Sequence, residues 1–474
     1  PATALSATTT LQLGGNETLG LLSGDGALEL GAATLTTGGV GNSRFDGVIS
    51  GSGNLVKAGT GTFTLGTAQT YTGDTTVHTG TLATAAAALL PATTGLIIDT
   101  DGRLTLGGAQ TATRLELAGT LSGSGVLTAP IYRVNGGTVG AGLGAGRLEA
   151  DASSRIDVPV AAGTVVVNTG TLTLGAADLL SDAAELTVLR DAVLALGGND
   201  RVRTATLAGT LAGTGTLSAD SITLDSARVR AGLSSDTLTS LGDSQFSARI
   251  SATTINIDGG QLTLSAGGLL AAGATVNVAH LATLLLGGDE AIAALNLAGT
   301  LSGTDTLTAT DTLLTGGQVL ANLGAGALVS RGDSRIAGQA ASTTVTVQDG
   351  TLTLDGVSRL TAAPAVTVAS NATLVLGGAQ TFGTLAGIGR VDLASFTLTT
   401  GAGGDSRFDG VIAGTGGLTK AGAASRFTLG GDNVYTGATQ VAGGTLATAA
   451  AERLADGSAL SVAQGATLLL GGAE

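Results

Sequence analysis

The chain of 474 residues contains no cysteine, no methionine and no tryptophan. Without cysteine there is neither a disulfide framework nor a thiolate metal site. Aromatic residues make up 2% and charged residues 12%, which excludes a wide core filled by large rings. Lys+Arg number 21 against 35 Asp+Glu, a net charge of -14. That balance disfavours nucleic acid and anionic membrane surfaces as partners. No basic patch stands out, because the only lysines are Lys57 and Lys420 and the arginines are scattered singly. There is no signal peptide and no run of 18 apolar residues, so no transmembrane segment is predicted. The sequence opens at Pro1 without a methionine and reads as a piece of something longer.

What is present is glycine, 79 residues of it, and a hydrophobic fraction of 43% dominated by Ala, Leu and Val. That fraction argues against disorder, whose signature is low hydrophobicity with high charge. A thin core of small aliphatic residues is expected, with glycine at the corners.

The chain is repetitive. The pattern Leu-x-Leu-Gly-Gly recurs with its second leucine at Leu13, Leu106, Leu196, Leu286, Leu376 and Leu470, at gaps of 93, 90, 90, 90 and 94 residues. In three middle units LAGTLSGSGVLTA returns as LAGTLAGTGTLSA and LAGTLSGTDTLTA, with Leu117, Leu207 and Leu297 in phase. The two outer units carry a different phrase, running from Arg44 to Ala85 and again from Arg407 to Ala449. The division is therefore 14–106 (first type), 107–196, 197–286 and 287–376 (second type), and 377–470 (first type), within one continuous solenoid over 1–474.

Inside each unit, three- to six-residue alternations such as Thr-Leu-Thr-Leu end in Gly-Gly, Asn-Gly or Asp-Gly, which is the signal for strands separated by turns. The stretch near Ala85 to Leu90, with counterparts near Leu179 and Ala449, allows one or two helical turns. Strands this short cannot bury a face alone and must stack on neighbours. An all-β fold follows, a right-handed parallel β-helix (β-solenoid) in the form of an elongated rod with about 20 residues per turn. A closed barrel or a propeller is the competing architecture, although the Trp-Asp blade signature is missing.

The first-type phrase resembles a known family on specific residues. GSGNLVKAGTGTFTL (Gly51 to Leu65), TYTG (Thr70 to Gly73) and VHTGTL (Val77 to Leu82) are similar to the autotransporter-associated β-strand repeat. The second copy follows the pattern through Lys420, Phe427, Tyr435, Gly437, Gly444 and Leu446, and departs from it at Ala423, Ala424 and Ser425, where one residue is added. The resemblance implies a β-helical passenger region of a large exported protein, extracellular on the surface of a Gram-negative bacterium. It also implies a role as stalk and adhesive surface, tied to outer membrane export, cell adhesion and biofilm. Self-assembly into a filament or surface layer, and a carbohydrate-active enzyme built on a β-helix, are the alternatives.

Individual motifs admit plainer readings. Arg331-Gly332-Asp333, followed by Ser334, matches a cell-adhesion tetrapeptide, but Gly-Asp-Ser also stands at Gly242 and Gly404 and is a turn written by the repeat. As a hydrolase nucleophile motif it would need a general base, and only His78 and His280 exist. No catalytic residue is assigned. The run at Gly140 to Gly146, repeated at Ala321 to Gly326, lacks the Lys-Ser/Thr of a phosphate loop and reads as a turn. Asp99 to Gly102 is half a calcium loop, so no metal or cofactor is expected. For Lys57, Lys420, Tyr71 and Tyr435 the choice is between a binding or export contact and an apolar stem lying along the surface with its polar tip in water. Partners, if any, are a host or neighbouring cell surface, matrix or glycan, met by an extended face, or a second copy of the chain.

Overall fold

The computed structural model describes residues 2–473; Pro1 and Glu474, the ends of the expected 1–474 span, lie outside the described residues. The chain divides into two compact units, one up to Ser235 and the other from Asp236. Each is a parallel β-solenoid.

In the first unit Thr62 of strand Thr62–Leu65 lies opposite Thr81, Thr81 opposite Arg103, Arg103 opposite Thr120, and Thr120 opposite Thr138. The partner is thus 17 to 22 residues further along the chain, and every step is parallel. A single turn offers three stacking segments, exemplified by Arg147–Ala152, Ser154–Ile156 and a lone bridge between Val160 and Leu143. The second unit repeats the scheme: Gln261 stacks on Thr283, Thr283 on Thr300 and Thr300 on Gln318, while Leu323, Ala340 and Leu360 form the bridged column.

Alternation along these short strands decides what is buried, because successive side chains point to opposite faces. Leu82, Leu104, Leu121, Val139, Ile156 and Leu174 form one interior column, each partner directly above the last and all fully buried. Each such leucine contributes roughly 1.5–3 kcal/mol by leaving water, which offsets the ordering of a glycine-rich backbone. The scarce aromatics are spent inside, with Phe45, Phe63, Phe246, Phe382, Phe408 and Phe427 fully buried.

Close stacking is what requires glycine at certain corners. At Gly51 the backbone is left-handed (φ +110), and a Cβ there would come within 2.8 Å of the Gly31 backbone nitrogen and oxygen.

The allowance for helical turns fails: no helix occurs among the described residues, so none is long and apolar enough to cross a membrane. The stretch from Ala85 to Leu90 is a corner, with Ala88 at φ 54. Its N–H groups are claimed by neighbouring turns, Ala88 by the carbonyl of Ala109 and Leu89 and Leu90 by the Gln110 side chain. An α-helix would need those donors for its own i−4 carbonyls. The glycine run also differs from the turn expected of it, since Gly140 and Gly142 lie within strand Thr138–Leu143 and only residues 144–146 turn.

Candidate functional site

The two lysines define the most unusual chemistry in the molecule. Lys57 ends strand Leu55–Lys57, whose next neighbour above is Thr75–Thr84. Alternation places Leu55 and Lys57 on the same inward face, and Lys57 is 0% exposed. Its ammonium donates to the carbonyls of Ala58 (2.9 Å), Gly59 (2.7 Å) and, from the following turn, Thr79 (3.0 Å). Among the described residues no carboxylate pairs with it. The ammonium is therefore held by three backbone dipoles, which satisfy its three N–H donors.

Glycines make room for this cage. Gly80 is left-handed (φ +68), and a Cβ on it would stand 2.9 Å from Lys57 Nζ. Gly38 (φ +116), one turn below, presses on the lysine stem, where a Cβ would meet Cδ at 3.1 Å. The cage thus spans three successive turns.

Lys420 repeats the arrangement, also 0% exposed. It donates to Gly422 (3.0 Å), Gly443 (3.2 Å) and Ala421 carbonyls, and is joined by the Ser425 hydroxyl at 2.9 Å. Ser425 is where this copy departs from the first one, by one added residue, so the departure supplies a ligand to the ammonium. Burial pushes the pKa of both lysines below the ordinary lysine value; at Lys420 the nearby Asp405 carboxylate works the other way.

The tyrosines are interior as well. Tyr71, fully buried, shares a hydrogen bond of 2.6 Å with the Thr75 hydroxyl, which continues to Thr94 at 3.0 Å and from there to the Gly73 carbonyl at 2.8 Å. Tyr435 pairs with Thr439 at 2.6 Å in the same way. Burial raises the Tyr71 pKa and the Thr75 hydrogen bond opposes that rise. The picture of stems on the surface with polar tips in water is corrected for all four residues. The backbone offers what water would have provided, so a polar tip can stay inside.

A second buried polar series carries a signal in the sequence, its constant place four residues after the second leucine of Leu-x-Leu-Gly-Gly. Gln110, Asp200, Glu290 and Gln380 occupy that place, all buried. Gln110 Oε1 accepts from the backbone of Leu89 and Leu90, both at 2.9 Å, and its amide donates to the Ala86 carbonyl at 2.7 Å. Asp200 accepts from Leu179 and Leu180 at 2.9 and 3.1 Å, and Glu290 from Leu269 and Leu270 at 2.9 and 3.0 Å. Each closes a corner of the turn below it. Burial pushes both carboxyls above their ordinary range, although the backbone N–H bonds oppose the shift; the Asp178 charge adds to it at Asp200.

The Arg331-Gly332-Asp333 turn is exposed at Arg331 and Asp333, with Gly332 left-handed (φ +70). Asp333 Oδ1 accepts the Thr351 backbone N–H at 2.9 Å, and Arg331 Nε donates to Gln348 at 2.6 Å. One period earlier Asp243 does the same for Gln261 at 2.8 Å. The aspartate of Gly-Asp-Ser therefore caps the next turn. Ser334 is buried and accepts the Gly316 N–H at 3.2 Å. Far from that turn in sequence, His78 pairs at the surface with Asp99 (2.8 Å), which engages the first acid of the half calcium loop. Among the described residues no group of three or more His, Cys, Asp or Glu side chains is placed to hold a metal.

Residues 55–83 and 418–447 match the family model described as the passenger-associated-transport-repeat. The two matches start on the strand that carries the caged lysine in each copy and end three residues past the glycine that closes over its ammonium, Gly80 within strand Thr75–Thr84 and Gly444 just before strand Thr445–Thr448. No curated protein and no solved structure matches the chain.

Proposed function

We propose that the chain is a stalk and extended binding surface within an autotransporter passenger, held outside a Gram-negative cell. The observation that carries this reading is the pair of lysine cages: in both segments that match the passenger repeat, the chemistry points inward and joins one turn to the next. A residue set spent on the interior suits a device whose task is to fold turn upon turn. Lys57 is satisfied only once Thr79 of the following turn has docked, so addition of that turn locks the one before it. A cysteine-free chain growing in this way needs no oxidative step outside the cell.

Recognition then falls to the outward faces of the stacked strands, where many weak contacts act together. The exposed Arg331 to Asp333 turn is one candidate element of that surface. The test fuses the whole chain to a translocating outer-membrane barrel in a Gram-negative host. The fraction digested by external protease reports display, and attachment to cells and to matrix-coated beads reports adhesion. The expected outcome is a displayed, protease-resistant chain whose carriers attach above a barrel-only control. Retention inside the envelope, or attachment equal to the control, contradicts the proposal.

A further inference from the structure

Arginines scattered singly in sequence do not stay single in the fold. Arg190 sits in a tight turn closed by the Ala192 N–H to the Leu189 carbonyl (3.1 Å), and Arg228 opens strand Arg228–Val229 directly above Thr210. Although 38 positions separate them, the two line one shallow cavity of about 190 Å³ in the first unit, together with Gly209, Thr210 and Ser226. Arg230, one residue past the end of that strand, is exposed as Arg228 is.

Most other arginines are neutralised. Arg44, Arg114, Arg133, Arg147, Arg155 and Arg201, for instance, each face a carboxylate. Arg190 and Arg228 make no ion pair among the described residues, and the only acid lining their cavity is Asp191. Asp225 stands beside the cavity as the acceptor of the Ser226 hydroxyl, so Arg190, Arg228 and the exposed Arg230 meet two acids and leave a local positive charge on a chain whose net charge is -14.

The repeat supplies an internal control. One period earlier the places of Arg190, Ser226 and Arg228 are held by Thr100, Gly136 and Thr138; one period later by His280, Gly316 and Gln318. The turn is built equally well without arginine, so the architecture does not explain the pair.

We infer that this cavity binds an anionic group, a sulfate or carboxylate, carried on an otherwise neutral polysaccharide. Guanidinium groups hold either anion through paired N–H bonds, and the Thr210 hydroxyl, which lines the same cavity, is suited to a neighbouring sugar hydroxyl. The cavity has room for one such group together with part of the sugar that carries it. The acidic remainder of the chain repels a dense polyanion, which selects sparse charge over nucleic acid. The inference deepens the proposed binding surface and rests on it for biological use, whereas the binding itself is measured apart from display.

The experiment immobilises the full chain and compares lightly sulfated dextran, lightly carboxymethylated dextran, neutral dextran and single-stranded DNA, at low and physiological salt. The key variant is Arg190→Thr with Arg228→Gln, residues that the sister units place at those positions. Arg133→Gln with Arg147→Gln removes arginines that are already paired. Wild type is expected to bind the sulfated or the carboxymethylated dextran above neutral dextran, more weakly as salt rises. The key variant is expected to lose at least about tenfold in affinity, as loss of charge-assisted hydrogen bonds implies, while the control keeps wild-type binding. The sulfate and carboxylate arms identify which anion is preferred. No preference over neutral dextran, equal binding by the key variant, or tighter binding of DNA overturns the inference. Failure here with intact cell attachment removes the anion site and leaves the adhesive surface standing.

Discussion

Lys57→Met is expected to lower the stability of the first unit by about 2–3 kcal/mol, the net of two opposed effects. The substitution keeps an apolar stem of similar length and removes the charge, so it recovers the cost of taking an ammonium out of water. Against that, the carbonyls of Ala58, Gly59 and Thr79 lose their donor together. Each charge-assisted hydrogen bond contributes about 1.5–3 kcal/mol, and three of them outweigh the recovered desolvation. Lys57→Arg does not rescue, because a planar guanidinium cannot reach three divergent acceptors beneath Gly80 and above Gly38. The urea midpoint checks the size of the loss. Amide exchange checks its place, with protection falling first between Leu55 and Thr84 and persisting in turns remote from Lys57. An unchanged midpoint would mean that water can replace the ammonium and that the cage is incidental.

At Glu290 two substitutions are expected to act with opposite signs. Glu290→Ala leaves the buried N–H groups of Leu269 and Leu270 without an acceptor and costs about 2–4 kcal/mol. Glu290→Gln keeps an acceptor and adds an amide donor. Gln110 and Gln380, at the same place in other units, use that donor on the carbonyls of Ala86 and Gly356. A gain of about 1 kcal/mol at pH 7 is therefore expected.

The sign of the pH dependence follows from the raised carboxyl. Its folded pKa lies above its ordinary value of 4.5, chiefly through burial. Between those two values the folded state binds more protons than the unfolded one, so wild-type stability falls as pH rises through that window. Glutamine does not titrate. The advantage of Glu290→Gln should accordingly be present at neutral pH, shrink as pH falls through that window and reach its minimum below the ordinary value, which urea midpoints at a series of pH values would show. An equal gain at all pH values would locate the effect in packing instead of ionisation.

These residues show what was readable before the structure and what was not. The 90-residue phase of Leu-x-Leu-Gly-Gly and the Thr-Leu alternation led directly to stacked parallel strands, because both patterns follow from the geometry of a turn. Lys57 belongs to the repeated phrase, yet nothing in that phrase marks its burial, since its partners are backbone carbonyls that any sequence possesses. Only the fixed glycines around it, Gly59 and Gly80, carried a trace of the cage. Gln110, Asp200, Glu290 and Gln380 kept a constant spacing, and their chemical variety hid a shared task of accepting two backbone N–H bonds. The Ala/Leu corner from Ala85 misled because helix propensity says nothing about which turn will claim an amide. Arg190 and Arg228 were invisible as a pair, since their meeting depends on the lengths of the intervening turns.

The central claim is that each unit is built of parallel turns stacked in the register described, and the absence of cysteine makes it directly testable by paired substitution. Thr62→Cys with Thr81→Cys in the first unit, and Asn277→Cys with Asn296→Cys in the second, place thiols on directly stacked residues. Thr62→Cys with Ala83→Cys, and Asn277→Cys with Ala294→Cys, keep the same face but move one partner two positions out of register. Disulfides form only when Cα atoms lie within about 4.4–6.8 Å. Rapid oxidation of the in-register pairs in the folded chain, with the offset pairs remaining reduced, is the result this account predicts. Cross-linking of the offset pairs in preference, or of neither, would contradict it.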